Sequence, residues 1–532
     1  MKRTWLIFLI VGSVLVPGRV HAGDSRDLTR RQAASVIERV LHGRADLAIA
    51  YLDSLRSDHD RYPLYHIMRA RCLQEYIPMD DANTAYAKQM AEPALGELDR
   101  AIEICTARID SGGAESKYYL YRGWAWMSKS YIRSMSRSFW TAGREAGRGK
   151  KDLKIYLAAY PDDTTANGIM GAFLYFADTI PKAFKFFSKL LRLPSGDRLE
   201  GLDRLRHAAL NGDSLDADYR LVLYNVYFYF EGRYEEGLAG LRQMVQRYPE
   251  YSRTSIALSV ARAFVPRQAA GLDRLVGSNI RRISDLSPGG ADANGLEVVR
   301  ASRAWGSRYC DPAYTITWFE DILRRGPLHP DWVRGFARYE LGSLYAWRGR
   351  KDDARSLLES VVQDPAHHYY RSQANRMLED LEEFAARFED PIRQPDGRWI
   401  EAVYRSGADS LAVLAERFDE LAPASLAASF YLGDCHLLAG DHDGALVHYR
   451  RVLEADAPAW EETYQMLAGT RMAEVFAARK EYGKASGYMR KAQSFYHKEY
   501  LIDWVIEGRK RYFDRLDDGK ESVVPTQLSI NP

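Results

Sequence analysis

The sequence predicts an all-α protein, a superhelical solenoid of stacked antiparallel helix pairs, and three observations predict it. The first is a small residue followed at offsets of 12, 16 and 19 by an apolar stripe: Gly342 with Ala354, Leu358 and Val361, and Gly433 with Ala445, Tyr449 and Val452. Ala473 with Ala485, Met489 and Ala492 repeats the step, as do Gly171 with Ala183, Phe187 and Leu190, and Asn225 with Gly237, Leu241 and Met244. A small residue where two helices touch, then an apolar stripe on the second helix, is how stacked helix-turn-helix units read in sequence. The second observation is proline at the ends of second helices, at Tyr160-Pro161, Pro194, Tyr248-Pro249, Pro365 and Pro458, where its ring stops the helix. The third is that no stretch shows the period of two that a strand needs.

The elements follow in chain order. Residues 1–22 form a predicted export signal: Lys2 and Arg3, an apolar run from Trp5 to Val16 too short for a mature span, the breakers Pro17 and Gly18, and Val20-His21-Ala22 with cleavage after Ala22. Cleavage takes Lys2, Arg3 and Arg19 with it, so the formal charge falls from +2 to −1 and no argument for nucleic acid remains. About 510 mature residues exceed one ordinary core, and repeats escape that limit by growing lengthwise.

Residues 23–265 are predicted N-terminal repeats with extended helices. Ala48, Leu52 and Leu55 make a second-helix stripe, and a first helix from Leu64 carries Ala70 and Cys72. Its partner carries Ala94, Leu98 and Ala101 at an offset of 24, with an insertion around Pro78-Met79-Asp80-Asp81. Residues 266–335 repeat least clearly and are expected to be an irregular helical connector, with a loop at 287–295 whose composition is Gly with Pro, Asp and Asn. One superhelix or two halves both fit this break. Residues 336–516 are C-terminal repeats, and 517–532 are an aperiodic, disordered tail. Cys72, Cys105, Cys310 and Cys435 show no metal-ligand spacing. Cys72 and Cys105 lie near successive helices and are either bridged or buried as thiols.

The best copy, residues 335–365, has Leu341-Gly342, Tyr345, Ala354, Leu358 and Pro365; 427–458 has Leu432-Gly433 with His436 in place of Tyr; 467–495 has Met472-Ala473 and Phe476. These segments resemble tetratricopeptide repeats. The resemblance implies a concave groove lined by first helices that binds another protein or peptide; with the export signal, the expectation is an exported bacterial member whose partner lies in the cell envelope, in the periplasm, with or without peripheral membrane attachment. It implies neither catalysis nor a cofactor. The wall positions are Tyr339, Ser343 and Trp347, then Phe430, Asp434 and Leu438, with Tyr229 and Phe230 from an earlier unit. Aromatic anchors supply most groove affinity, while the competing role of such rings is packing between repeats. The Lys and Asn clamp of chaperone-type members is missing from these positions, which disfavours capture of a C-terminal carboxylate.

The strongest charge anomaly is 117–154, where ten cations face only Glu145 and Asp152. Lys129, Arg133 and Arg137 fall at i, i+4 and i+8 on one helical face, and Arg144 and Arg148 follow. Such a face suits an anionic envelope polymer or lipid, the alternative function, or is simply solvated. His436, His442 and His448 sit on different parts of one repeat and match no zinc spacing, so no metal is expected. No phosphate loop, nucleophile elbow or His-Glu-x-x-His motif is present. A non-catalytic scaffold is the expectation.

Overall fold

The computed structural model describes residues 28–77, 85–112, 116–135, 138–179, 196–212, 217–286, 293–308, 312–324, 332–364, 368–387, 395–405, 408–423, 425–495 and 500–521. Outside them lie the predicted signal at 1–22, the insertion at 78–81, Arg137, the Ala183, Phe187 and Leu190 stripe, Pro194, most of the 287–295 loop, Cys310, Pro365 and the tail beyond 521. Among the described residues every regular element is helical. The predicted all-α stack of helix pairs is therefore what the chain builds: consecutive helices pack against each other along its length.

The chain divides into two compact units. The first comprises Met1–Asn225, Gln243–Tyr251 and Ile283–Asn294. Its pairs are Arg30–Leu41 with Ala45–Ser54, Pro63–Gln74 with Ala85–Asp110, Lys117–Met135 with Phe139–Ala159, and Thr164–Thr179 with Arg198–Asn211. The wide offset after Cys72 has its cause here, since the partner helix Ala85–Asp110 runs 26 residues. By contrast the second helices of the C-terminal repeats, Lys351–Gln363 and His442–Glu454, run 13. Where the third pair crosses, a Cβ on Gly149 would lie 2.8 Å from the Gly123 carbonyl oxygen, so only glycine allows this backbone approach. Arg71 and Asp218, both buried, form an ion pair at 3.1 Å that ties the second pair to the Ala217–Asn225 helix. A capping box at Thr29, closed by Gln32, opens the first helix.

The second unit comprises Val226–Arg242, Ser252–Arg282 and Gly295–Pro532. Its repeats show why the twelve-residue step exists. Ala354, Leu358 and Val361 are buried completely, as are Ala445, Tyr449 and Val452, and Ala485, Met489 and Ala492. Gly433 lies against the Tyr449 ring, sixteen residues on, and Gly342 against Leu358 at the same offset. The turn between paired helices has its own rule. Seven residues after each small residue the backbone turns left-handed, at Gly232 (φ 67°), Gly349 (74°), Gly440 (89°) and Lys480 (62°). Glycine bears this without a Cβ penalty, and Lys480 does not. Asp441 then caps the next helix through the Gly444 amide.

Residues 266–335, where the repeat step fades, are helical in their described parts. A 3₁₀ turn at Pro266–Gln268 precedes helices Ala269–Leu286, Ala293–Ser307, Pro312–Arg324 and the start of Trp332–Trp347. Their unequal lengths, not loss of helix, account for the broken periodicity. The last helix, Tyr500–Asp517, packs on the π-helical turn Val226–Phe230 that begins the unit. Phe230 meets Trp504 with ring centroids 4.9 Å apart, and the Tyr234 hydroxyl donates to the Val505 carbonyl at 3.1 Å. Arg515 donates to the Glu231 carbonyl at 3.0 Å.

Candidate functional site

In the second unit, six of the eight projected wall side chains lie inside. Phe430 is completely buried, its ring 5.5 Å from Tyr464 and 6.0 Å from Tyr449. Tyr229 and Phe230 are buried within the π-helical turn. Trp347 is buried too, under the Arg348 guanidinium at 4.8 Å, with its indole N–H unsatisfied by any described partner.

The two polar positions are each taken up by an arginine. Arg308 donates to Ser343 Oγ at 2.6 Å and to the Trp460 carbonyl at 3.3 Å while pairing with Glu340. Arg471 donates to Asp434 at 3.3 Å and to the carbonyls of Ala263 and Phe264 at 2.9 and 3.3 Å. Asp434 also accepts from the Tyr404 and Tyr449 hydroxyls. A buried carboxylate with three donors and a buried guanidinium with three acceptors are fully occupied. Ser343 and Asp434 therefore work as internal struts.

Tyr339 and Leu438 keep partial exposure. Tyr339 stacks on Tyr370, with centroids 5.5 Å apart and planes at 23°. Tyr370 comes from His368–Arg387, the first helix of the following pair, so the stack bridges two neighbouring first helices. Phe336 supports Tyr370 from below at 5.9 Å and Phe319 supports Phe336 at 5.8 Å. Tyr370 escaped the sequence projection because its helix shows no small-residue step; the pair Tyr369-Tyr370 near its start was the available signal. Nearby, Tyr345 donates to Glu320 at 2.6 Å, and burial with that bond pushes its hydroxyl up to about 12.

In the first unit the basic segment splits by helix. Cations of Lys117–Met135 turn inward: Arg122 forms a bidentate pair with Asp152 at 2.8 and 2.9 Å, and Lys129, buried, pairs with Asp99 and lies 3.8 Å from Glu145. Burial pushes the Glu145 carboxyl up, with Lys129 and Arg133 pulling it back. Arg133 is half-buried. Arg144 and Arg148, on Phe139–Ala159, are exposed, and Arg148 lies over the Trp126 ring at 4.7 Å. The five projected anion-binding residues are thus not one surface. Lys129 is neutralised inside, Arg137 lies outside the described residues, and Arg144 and Arg148 share an outer face with Lys151 and Lys154.

The remaining sequence candidates resolve simply. Cys72, Cys105 and Cys435 are buried thiols outside any disulfide, and burial pushes Cys72 and Cys435 up to about 12, away from the thiolate form. His436 and His448 stack at 5.1 Å, with His436 bonded to Asp441 at 2.8 Å. Among the described residues no group of three or more His, Cys, Asp or Glu side chains could hold a metal ion, and no helix is long and apolar enough to cross a membrane.

The family pattern described as "Tetratricopeptide repeat" matches residues 336–365 and 427–457. Those two segments carry the pattern of the family. No curated protein matches its sequence. Solved structures that it resembles include a human IFIT1 dimer with PPP-AAAA, at 15% identity over 80% of this chain and 93% of that one, TM-score 0.28. The P58(IPK) TPR domain shares 15% identity over 81% of this chain and 96% of its own, TM-score 0.19. Yeast Tom70 shares 12% over 92% and 99%, TM-score 0.21.

Proposed function

We propose that the protein is a non-catalytic scaffold of the bacterial cell envelope that holds a partner protein against the first helices of its tetratricopeptide repeats. The observation that carries this reading is the Tyr339–Tyr370 stack, a half-exposed aromatic spanning two neighbouring first helices, the nearer of them in a matched repeat. A ring already ordered by stacking loses little freedom when a partner covers it, which is what makes aromatic anchors effective. The envelope location rests on the sequence: Lys2 and Arg3, the apolar run Trp5 to Val16, and Val20-His21-Ala22.

The test is a crosslinked pull-down of the mature protein from envelope extract at low and high salt, with partners identified by mass spectrometry and wild type compared with Tyr339→Ala. The reading expects one or two proteins retained at high salt and an affinity loss of about 1–2 kcal/mol in the variant. Equal affinity in the variant, with an intact helical spectrum, removes this wall from the site. Precursor that keeps residues 1–22 and stays in the cytosol refutes the location.

A further inference from the structure

We propose that the outer face of the Phe139–Ala159 helix is a docking surface for an anionic lipid bilayer, with Trp140, Arg144, Arg148, Lys151 and Ile155 in contact. The inference is independent of the first-helix wall described above. These residues follow one another by steps of four, four, three and four, so they form one stripe within about 120° of arc. The stripe runs about 22 Å along the helix axis at 1.5 Å per residue.

Both ends are apolar and exposed, Trp140 at 56% and Ile155 at 44%. Between them Arg144, Arg148 and Lys151 are exposed, and Lys154 flanks them. Among the described residues no ion pair reaches any of these four cations. The acids of this helix face the other way: Glu145 is buried near Lys129, and Asp152 is buried against Arg122. Acids on adjoining helices are also engaged, Asp99 by Lys129, Glu103 by Arg100 and Glu200 by Arg204. Within the Phe139–Ala159 helix the segregation is complete, with both carboxylates buried and these four cations exposed.

A solvated face needs no exposed indole, and an acidic peptide needs a groove to fix its backbone. A straight row of cations with a tryptophan at one end and an isoleucine at the other suits a plane. The cations meet lipid phosphates, while the indole and the isoleucine enter the headgroup boundary. Attraction of this kind fades within a Debye length, about 10 Å at 0.1 M salt, so binding is salt-sensitive. Each cation near an anionic surface is worth about 1 kcal/mol, a fivefold change in partitioning.

The experiment is flotation of the full-length mature protein with phosphatidylcholine vesicles containing one-third phosphatidylglycerol, against pure phosphatidylcholine, at low and high salt. Wild type is expected to float only with the anionic vesicles and to be released by salt. The variant Arg144→Gln/Arg148→Gln/Lys151→Gln is expected to bind about a hundredfold more weakly. Lys484→Gln/Lys491→Gln/Lys520→Gln removes the same charge from exposed sites elsewhere and is expected to bind as wild type does. Trp140→Ala is expected to weaken binding at low salt. Matching circular dichroism spectra establish that all variants fold. Absence of anionic-vesicle binding, equal losses in both triple variants, or salt-sensitive binding to polyglutamate in preference to vesicles would each overturn the proposal.

Discussion

Gly433 allows the repeat geometry to be tested at one atom. A Cβ at this position would lie 2.6 Å from Tyr449 Cε1 and 2.8 Å from Cδ1. The ring cannot swing clear, because its hydroxyl donates to Asp434, which Arg471 and Tyr404 also hold. Overpacking of this kind costs about 1–3 kcal/mol, against a gain of about 1 kcal/mol for replacing glycine by alanine inside a helix. Gly433→Ala is therefore expected to lose up to about 2 kcal/mol. A Cβ at Gly342 meets Leu358 Cγ at 3.0 Å and Cδ2 at 3.1 Å, with the Ala354 carbonyl oxygen at an ordinary 3.5 Å, so Leu358 need give only a few tenths of an ångström and Gly342→Ala is expected to be close to neutral. Gly487 has nothing within 4 Å and is exposed in the helix Tyr482–Phe495, so Gly487→Ala is expected to gain about 0.5–1 kcal/mol. All three sites lie in the second unit and report on the same unfolding. Urea denaturation followed by far-UV circular dichroism gives the order directly. If Gly433→Ala proves as stable as Gly487→Ala, the small residue is not there to admit the partner ring, and the explanation of the twelve-residue step fails.

Three further outcomes are expected. Lys480→Gly relieves the one left-handed non-glycine residue among those described and should stabilise the second unit by about 1 kcal/mol, read as a higher urea midpoint. Arg471→Met leaves the buried Asp434 carboxylate and the Ala263 and Phe264 carbonyls short of a donor and should cost about 3–5 kcal/mol; a loss below about 1 kcal/mol would show that Tyr404 and Tyr449 suffice. Burial, followed by the neighbouring His436, lowers the pKa of His448 below its ordinary 6.5. The stability this neutral ring contributes is present above pH 6.5 and is lost as the pH falls from there through its folded pKa. Wild type should therefore lose its advantage over His448→Gln on acidification from pH 7 to pH 5, and a flat difference would contradict the lowered pKa.

What could be read in the chain was the contact between partners within a helix pair. Gly342, Gly433 and Ala473 announce their crossings because the step from small residue to stripe is set by helix pitch and turn length alone. The left-handed turn seven residues later was equally available as Gly349 and Gly440, but Lys480 hides it in the third copy. The wall projection followed helical spacing, which places Tyr339, Ser343 and Trp347 on Trp332–Trp347 and Phe430, Asp434 and Leu438 on Leu426–Ala439, and said nothing of what would cover them. Arg308 reaches Ser343 from 35 residues away, and Arg471 reaches Asp434 across 37 and Phe264 across 207. No local pattern encodes such partners. The 117–154 cations are a similar case: a charge count treats Lys129 and Arg148 alike, whereas Lys129 is buried against Asp99 and Glu145 and Arg148 is exposed.

The seating of the Tyr500–Asp517 helix on Val226–Phe230 changes how the second unit can be made. An open stack of repeats can grow from either end, lose a terminal repeat and still stand, since each repeat needs only its neighbours. Here the first turn of the unit waits for its last helix, through Phe230 on Trp504, Tyr234 on Val505 and Glu231 beneath Arg515. During synthesis these early residues stay uncovered until almost 300 more have been added, as the 284-residue separation of Glu231 and Arg515 requires. A chain stopped before residue 500 would lack the lid for its own beginning, exposing Phe230 and the neighbouring aromatic rings, and would be marked for proteolysis as unfinished.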